Sequence, residues 1–284
     1  MGIKLSLQKN SLKNKITSII LCAGEGTRIS DFIRSKPKPL IEINKKPILS
    51  YLIFNLIKSN TTSIIIVTGH LQEQIENYIE SIKQKNETLR KKILIINSGN
   101  EYQKGPLYSF LSITKEKNIL KKDLIYLVFP GDTYYESNLI SELFNSISNN
   151  SSLIQNNSII FYQELKGNNL KNTKIPNKTI SIIKTRKKES NEIVKEIRQI
   201  ELNSIDENSY YKQTIPLFVF DYNFIANIIE TENEVSVKTI REIINILIKK
   251  KKILYAFCLK PNYKFFDIDT KLDLLKLNKE KRGQ

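Results

Sequence analysis

An apolar segment that runs directly into a glycine-containing loop is the feature that most restricts how this chain can fold. Residues Ile16–Leu21 have the composition of a buried strand, and the loop from Ala23 to Arg28 follows at once, with glycine at positions 24 and 26. Backbone N–H groups in such a loop can bind phosphate oxygens. The third glycine of the dinucleotide-binding motif is absent, since Ile29 stands there, and no Walker A loop occurs. The two glycines alone favour a structural turn, whereas Arg28 and the proline-flanked Lys38 together with them favour a phosphate site.

Strand and helix patterns alternate along the first half of the chain. Short apolar runs are separated by segments in which apolar residues recur at helical spacing. This alternation is typical of a mostly parallel sheet flanked by helices, with ligands bound at the carboxyl ends of the strands. We therefore expect an α/β fold. The predicted elements are a helix from Pro47 to Ile57, a strand over 64–67, a helix over 71–82, and strands over 93–96 and 124–129.

The second half of the chain has a more mixed pattern. An Asn- and Ser-rich stretch over 145–157 predicts a loop. Ser236 is predicted to cap a helix that bears Val237, Ile240, Ile244 and Leu247, and no internal repeat is present. Further strands are predicted over 159–163, 179–184, 216–220 and 253–259.

Composition excludes several classes of protein. The 284 residues include 45 Lys and Arg against 29 Asp and Glu, a net charge of +16, with two cysteines and one histidine. Cys22 and Cys258 cannot form a disulfide framework, and one histidine leaves little basis for a zinc site, so a cytoplasmic location fits best. No apolar run approaches the roughly 18 residues of a membrane span. The lysines are spread along the chain and no nucleic-acid-binding module occurs, so we interpret the charge as a solvated surface and do not expect a nucleic-acid or membrane partner.

Three short motifs follow one another near the start of the chain. They are Leu21-Cys22-Ala23-Gly24-Glu25-Gly26-Thr27-Arg28, Lys36-Pro37-Lys38-Pro39-Leu40 and Lys46-Pro47. In this order they resemble the signature of the nucleotidyltransferase family that makes nucleotide sugars and related activated alcohols. The resemblance extends from about Ile16 to Leu277 and implies a Rossmann-like α/β fold. It also implies that Arg28 neutralises a bound triphosphate and that Lys38 contacts phosphate near the reacting centre. The residues implied in nucleotide binding are Leu21, Ala23, Gly24, Gly26 and Thr27.

The resemblance also suggests a division of the chain. We expect residues 16–277 to form the nucleotidyltransferase domain, with a nucleotide-binding core over about 16–145 and a smaller, mixed acceptor-binding part over about 146–277. Residues 1–15 are predicted to form a basic extension and residues 278–284 a tail.

Acidic residues stand where two predicted strands end. Asp132 follows an apolar strand and Gly131, and Asp267 and Asp269 follow the last strand, about 7 Å apart on one side of an extended segment. Mg²⁺ commonly takes one or two carboxylates, water and substrate phosphates, so all three are candidate ligands. In the family a metal-binding Asp lies at the first of these positions, where Asp132 would also meet the nucleotide, and a second acidic residue lies in a late segment. The alternative for Asp132 and Asp269 is capping of the helix that follows each.

The segment Gln103-Lys104-Gly105-Pro106-Leu107 lies between a predicted strand and helix. In similar enzymes a glycine loop here lies against the nucleobase, so we expect Gln103 and Gly105 to contact the base, with a plain turn as the alternative. The Glu-Lys-Pro triplet that binds the sugar phosphate in many of these enzymes is absent. We expect a structural role for the single histidine, His70. The candidate substitutes for the missing lysine, which could equally be surface charges, are Lys184, Lys195, Arg198 and Lys212.

These residues predict Mg²⁺-dependent attack by an acceptor phosphate on the α-phosphorus of a nucleoside triphosphate, with release of pyrophosphate. The second pKa of a phosphate monoester lies near 6, so the acceptor is already ionised and needs no side-chain base. The Asp-Ile-Asp-Thr segment at 267–270 looks most like that of inositol-phosphate or phosphocholine cytidylyltransferases, so we favour cytidine and a phosphorylated alcohol over a sugar 1-phosphate. The alternatives are a non-catalytic, nucleotide-sensing relative and a basic nucleic-acid-binding protein.

Overall fold

A computed structural model of the chain describes residues 15–26, 36–59, 61–171 and 178–282. Short apolar strands lie at its centre and helices cover them. The strands are β1 (Ile16–Leu21), β2 (Glu42–Ile43), β3 (Lys46–Pro47), β4 (Ser63–Thr68), β5 (Ile93–Asn97), β6 (Ile125–Pro130), β7 (Thr133–Tyr135), β8 (Ser158–Lys166), β9 (Thr179–Lys188), β10 (Asn191–Glu201), β11 (Tyr210–Asp221), β12 (Leu254–Leu259) and β13 (Phe265–Asp267). The α-helices are α1 (Ile48–Lys58), α2 (Gln72–Gln84), α3 (Glu87–Lys92), α4 (Pro106–Leu111), α5 (Ser137–Asn149), α6 (Ser151–Ile154), α7 (Gly167–Lys171), α8 (Tyr222–Glu232), α9 (Ile240–Lys249) and α10 (Lys271–Arg282).

Nine strands of the described residues form one mixed sheet, in the order β5-β4-β1-β6-β11-β8-β12-β10-β9. β5, β4, β1 and β6 are parallel to one another, as the alternation of strands and helices predicts. β11 runs antiparallel to both β6 and β8, so the parallel arrangement ends there. The carboxyl ends of β1 and β6 therefore lie side by side. The α/β fold with a Rossmann-like core and a more mixed second part is confirmed.

Alternation along the central strands divides the core between the two faces of the sheet. On β1, Ile20 packs into the cluster that contains α1, α2 and α5, whereas Ile19 packs into the cluster that contains α4, α8 and α9. Both side chains are fully buried. The sheet thus lies between two helical layers, as expected for parallel strands joined by helical crossovers. No helix in the described ranges is both long enough and apolar enough to cross a membrane.

A two-stranded pairing connects distant parts of the chain beside the main sheet. β13 pairs antiparallel with β7, and Asp267 stands opposite Thr133. The last helix, α10, follows this pair and buries Leu274 and Leu277 in a small cluster with Ile43 and other residues. α10 continues to Arg282, so residues 278–282 belong to this helix, and the expected division of the chain stays a prediction. Of the predicted basic extension, only Lys15 is described.

Two local predictions are wrong in the second half of the chain. The stretch over 145–157 is not a loop, because α5 continues to Asn149 and α6 follows it. Phe144 and Ile147 prolong the buried face of α5, and this packing outweighs the weak helix propensity of Asn and Ser. Thr239 caps α9 in place of Ser236, since its hydroxyl oxygen accepts from the backbone N–H of Glu242 at 3.2 Å and the Glu242 carboxylate accepts from the backbone N–H of Thr239 at 2.8 Å.

The long hairpin of β9 and β10 is the largest departure from the predicted elements. β9 continues four residues beyond Lys184, to Lys188, and β10 is an additional strand. The pairing register of the two strands shifts between Val194 and Glu196. Ile193 and Val194 are therefore both buried, which disrupts the alternation of period two by which a strand is recognised. The hairpin forms one side of the cleft described below.

Candidate active site

The glycine loop follows the end of β1 at the carboxyl edge of the sheet. Its described part ends at Gly26, so the predicted roles of Thr27 and Arg28 fall outside the described residues. Gly26 has a φ of +67°, and a Cβ at this position would stand 2.8 Å from Cγ of Lys38. A Cβ on Gly24 would have no described atom within 4 Å. The loop thus packs closely against Lys38 at one glycine and leaves open space at the other.

Lys38 lies in a short 3₁₀ helix, Lys38–Leu40, held between two prolines. The residue is only 6% exposed. Its Nζ lies 3.4 Å from Oδ2 of Asp132 and 3.3 Å from Oδ1 of Asp269. One buried ammonium group therefore contacts two carboxylates that are 137 positions apart in the sequence.

Asp132 reaches this position because β6 ends beside β1. The backbone N–H of Gly131 donates to the carbonyl of Leu21 at 2.9 Å. Added bulk at Gly131 would meet the Cys22 Sγ at 2.5 Å, so the two strand ends are in close contact. The backbone N–H of Ile268 donates to the Asp132 carbonyl at 3.4 Å and brings the late acidic segment to the same place.

Asp267 lies at the end of β13 and bonds to a residue of the neighbouring strand β7. Its Oδ1 accepts a hydrogen bond from the Thr133 hydroxyl at 2.5 Å. Although part of the residue faces the cleft, the protein around the carboxyl group disfavours its charged form and raises its pKa to about 6. The hydrogen bond from Thr133 works in the opposite direction, and the charges of Asp132 and Asp269 add to the rise. The bond to Thr133 thus connects Asp267 directly to a neighbouring strand.

The alternative role of Asp269 as a helix cap is taken by its neighbour. The hydroxyl oxygen of Thr270 accepts from the backbone N–H of Asp273 at 3.3 Å, and the Asp273 carboxylate accepts from the backbone N–H of Thr270 at 2.9 Å. This reciprocal pair satisfies the start of α10. The side chain of Asp269 instead contacts Lys38. Asp132 likewise points to Lys38, and the next helix begins only at Ser137.

Asp132 and Asp269 have the chemistry expected of Mg²⁺ ligands. Within the described residues, no group of three or more His, Cys, Asp or Glu side chains is arranged to hold a metal ion. Mg²⁺ does not need such a group, because one or two carboxylates suffice when water and substrate phosphates supply the remaining oxygens. The two carboxylates lie beside the glycine loop, where phosphates are expected. The residues present therefore fit a metal that is bound jointly by protein and substrate.

A cleft of about 1080 Å³ extends from this centre across the sheet. Leu21, Ala23, Gly24 and Gly26 line it, together with Lys38 and the three aspartates, so it brings together every predicted site residue that the structure describes except two. Those two are Gln103 and Gly105. Tyr102, Pro106 and Ser109 line the cleft at that end.

The backbone conformation and the close packing at position 105 require a glycine. Its φ is +125°, and a Cβ there would stand 2.5 Å from the carbonyl oxygen of Lys238. That carbonyl accepts the backbone N–H of Leu107 at 3.0 Å. The close approach of the two segments accounts for a glycine here, and contact of Gln103 and Gly105 with a nucleobase stays a prediction. His70 donates its backbone N–H to the Ala23 carbonyl at 3.0 Å, and its ring lies 6.1 Å from the Tyr102 ring.

The far side of the cleft holds cations that sequence patterns did not single out. Lys184, Lys195, Arg198 and Lys212 are absent from the described residues that line it. Lys212 is held on the sheet by Glu192 at 2.8 Å, and Arg198 pairs with Glu196 at 2.6 Å. No motif marks the cations on this side of the cleft, because contacts between distant segments of the chain place them there. They are Lys178, Arg241, Lys264 and Lys276.

Among these cations, Lys178 contacts the segment that carries Asp267 and Asp269. Its Nζ donates to the carbonyl oxygen of Asp267 at 3.3 Å and forms an ion pair with Asp273. Its side chain is 16% exposed, so it retains a surface toward the cleft. It precedes β9 by one residue.

Comparisons with known proteins show the family and the fold of the chain. The family model described as nucleotidyl transferase matches residues 17–168, more than half of the chain. Curated relatives include the bifunctional protein GlmU of Methanococcus maripaludis, 33% identical over 128 residues, which are 45% of this chain and 27% of that protein. Another is the choline-phosphate cytidylyltransferase of Streptococcus pneumoniae, 41% identical over 59 residues, which are 21% of this chain and 26% of that protein. The matched segments thus span about a quarter of each of these relatives.

Among solved structures, a UDP-glucose pyrophosphorylase from Acinetobacter baumannii has a TM-score of 0.67 at 16% identity, over 93% of this chain and 92% of that chain. This likeness concerns the fold and extends over nearly the whole chain. The family match covers β1, the glycine loop, Lys38 and Asp132, which are the residues that the structure brings together. The chain belongs to the nucleotidyl transferase family.

Proposed function

We propose that the chain is a Mg²⁺-dependent nucleotidyltransferase that transfers a nucleoside monophosphate from a nucleoside triphosphate to a phosphorylated acceptor and releases pyrophosphate. The observation that carries this proposal is the buried Lys38 ammonium group, in contact with Asp132 and Asp269 beside the glycine loop. A cation and two carboxylates at the carboxyl edge of parallel strands suit the binding of a metal–triphosphate complex. A non-catalytic relative would have no need of this grouping.

In the proposed reaction, an oxygen of the acceptor phosphate forms a bond to the α-phosphorus while the bond to the bridging oxygen of pyrophosphate breaks. The acceptor is ionised at neutral pH, so no side chain has to remove a proton. The work of the protein is to position the two phosphates and to offset their charge. Bound Mg²⁺ would neutralise phosphate charge. Asp132 and Asp269 would hold it, and Lys38 would contact phosphate oxygens.

The glycine loop is proposed to receive the triphosphate. The open space at Gly24 lets a ligand approach the backbone closely. Arg28, which follows in the sequence, is proposed to add a permanent positive charge. Catalysis in this scheme rests on preorganised charges, and the loss of one such contact typically lowers turnover about 10²-fold or more.

Lys178 is proposed to bind the acceptor phosphate. It lines the cleft and contacts the backbone of Asp267, one of the acidic residues at the reacting centre. Its ion pair with Asp273 positions the ammonium group, which retains donors for a further oxygen. This assignment replaces the earlier four candidates, none of which is among the described residues that line the cleft.

For the substrates, we propose cytidine triphosphate and a phosphorylated alcohol, with a sugar 1-phosphate as the alternative acceptor. The Asp267-Ile268-Asp269-Thr270 segment supports this choice, as does the match to a cytidylyltransferase. A UDP-glucose pyrophosphorylase shares the fold, so uridine is the first nucleoside to compare. Cys22 and Cys258 are both free thiols, which suits the proposed reducing, cytoplasmic compartment.

The test is a screen of the four nucleoside triphosphates against phosphorylated alcohols and sugar 1-phosphates, scored by Mg²⁺-dependent release of pyrophosphate. Asp132→Asn should lower turnover about 100-fold or more, because it removes one preorganised charge. Asp123→Asn is the matched control, since Asp123 is exposed in the loop before β6. Nucleotide binding without pyrophosphate release for any pair would favour a non-catalytic relative. Salt-sensitive binding to random DNA without turnover would favour a nucleic-acid-binding protein.

A second pair of variants tests the acceptor site. Lys178→Met should raise the KM for the acceptor at least tenfold while the KM for the nucleotide changes little, because a charge-assisted contact to phosphate is lost. Lys184→Met is the control, since Lys184 lies exposed on β9. Equal acceptor KM values for the two variants would contradict the proposal that Lys178 binds the acceptor phosphate.

A further inference from the structure

The side chain of Lys38 is more deeply buried than those of the two aspartates that it contacts. The side chain is 7% exposed, whereas those of Asp132 and Asp269 are 36% and 23% exposed. The aliphatic part of the side chain packs over Gly26, so that Cγ, Cδ and Cε all lie within 3.2 Å of the place a Cβ on that glycine would occupy. The ammonium group is thereby directed to the two carboxylates that would hold a metal.

This placement sets Lys38 and a metal ion in competition for the same oxygens. A divalent cation held by both carboxylates would take over contacts that Nζ now makes at 3.3 and 3.4 Å. The ammonium charge also offsets part of the negative charge that attracts a cation. Partly buried charges a few ångströms apart interact strongly, because water screens them poorly.

We propose that Lys38 is an internal counter-cation that keeps free divalent metal from the Asp132–Asp269 pair until a nucleoside triphosphate draws the ammonium group to its phosphates. The metal and the nucleotide therefore bind together. This inference rests on the proposed function, since it takes the two aspartates as the metal ligands and the glycine loop as the triphosphate site.

The packing of the Lys38 side chain on Gly26 links nucleotide binding to metal binding. A triphosphate in the glycine loop lies next to the Lys38 side chain, and its oxygens offer the ammonium group more negative charge than the two carboxylates do. When Nζ turns to the phosphates, the oxygens of Asp132 and Asp269 that it now contacts become available to the metal. The protein thus avoids occupation by a metal without substrate.

The test measures the binding of Mn²⁺ to the nucleotide-free full-length protein, from the electron paramagnetic resonance signal of the free ion. The wild type should bind Mn²⁺ weakly, and Lys38→Met, which keeps the aliphatic part of the side chain, should bind it at least tenfold more tightly. Lys38→Arg, which keeps the charge, should remain weak. Lys36→Met is the matched control, because Lys36 is exposed and pairs with Glu42, away from the aspartates.

Two further measurements locate the site and the nucleotide effect. Asp132→Asn added to Lys38→Met should abolish the gain in Mn²⁺ affinity. A non-hydrolysable nucleoside triphosphate should raise the Mn²⁺ affinity of the wild type at least tenfold, beyond that of the nucleotide alone, and this result supports the proposal even if Lys38→Met does not fold. Tight Mn²⁺ binding by the nucleotide-free wild type, or no gain in Lys38→Met, would overturn it. A failure of the proposed function would appear separately, as absence of pyrophosphate release while the gain in Lys38→Met persists.

Discussion

Replacement of Asp267 by asparagine should stabilise the folded protein at neutral pH. The carboxyl group accepts the Thr133 hydroxyl at 2.5 Å, and asparagine keeps a carbonyl oxygen for that bond. Burial raises the pKa of Asp267 from 3.8 to about 6, and the charges of Asp132 and Asp269 contribute to the rise. The folded state therefore favours the protonated, neutral form, and a neutral amide removes the cost of ionisation.

The size of the effect follows from the pKa difference. One pKa unit corresponds to about 1.4 kcal/mol, so a rise from 3.8 to about 6 corresponds to about 3 kcal/mol. Because the folded-state pKa lies above the unfolded-state value, the contribution of this group to stability is fully present below pH 3.8 and is lost as the pH rises through about 6. The free energy of unfolding of Asp267→Asn should thus exceed that of the wild type by up to about 3 kcal/mol at pH 7.5 and by under about 1 kcal/mol at pH 4.

The measurement is urea unfolding of both proteins at pH 7.5 and pH 4, in the presence of EDTA so that no divalent ion binds the carboxylates. Asp123→Asn serves as the control, since Asp123 is exposed in the loop before β6. Equal free energies of unfolding for Asp267→Asn and wild type at both pH values would refute the reasoning. A variant less stable than the wild type at pH 7.5 would show that the folded state favours the charged carboxylate.

Further substitutions test the glycine loop and the core. Gly26→Ala should lower stability by about 1–2 kcal/mol, because it forces a Cβ into a left-handed conformation and against Lys38, whereas Gly24→Ala should leave thermal stability unchanged and raise the KM for the nucleotide. Thermal melting and pyrophosphate release separate the two outcomes, and equal melting temperatures for the two variants would contradict the packing argument. Tyr135→Phe should cost about 1 kcal/mol in urea unfolding, since the buried hydroxyl donates to the Pro216 carbonyl at 2.5 Å, and an unchanged midpoint would show that this bond contributes nothing.

The nucleotide side of the site was largely predictable from the sequence. The strand β1, the glycine loop, Lys38 and Asp132 each belong to a short motif next to an apolar strand, and local sequence determines such strand ends. The helix α5 and the strand β10 were not predictable in the same way. Tertiary packing of Phe144 and Ile147 extends the helix, and a register shift in β10 hides its alternation.

The proposed acceptor site depends on contacts between distant segments. Lys178 does not belong to a recognisable motif. The sequence alone suggested four other cations of the second half as candidates for binding the acceptor phosphate. The position of Lys178 follows from β9, which pairs with β10 and β11, and from its ion pair with Asp273 at the start of α10. Similarly, the sequence offered Asp269 as either a metal ligand or a helix cap; Thr270 and Asp273 form the cap, and metal binding by Asp269 stays a prediction.

The sequence by itself determined an α/β chain with a glycine loop after its first strand, because strand periodicity and glycine positions are local properties. The tertiary structure alone decided that one buried lysine contacts two aspartates that are 137 positions apart in the sequence. That contact requires the pairing of β7 with β13 and the adjacency of β1 and β6. No local pattern encodes such pairings, since they arise from the burial of apolar surface across the whole sheet.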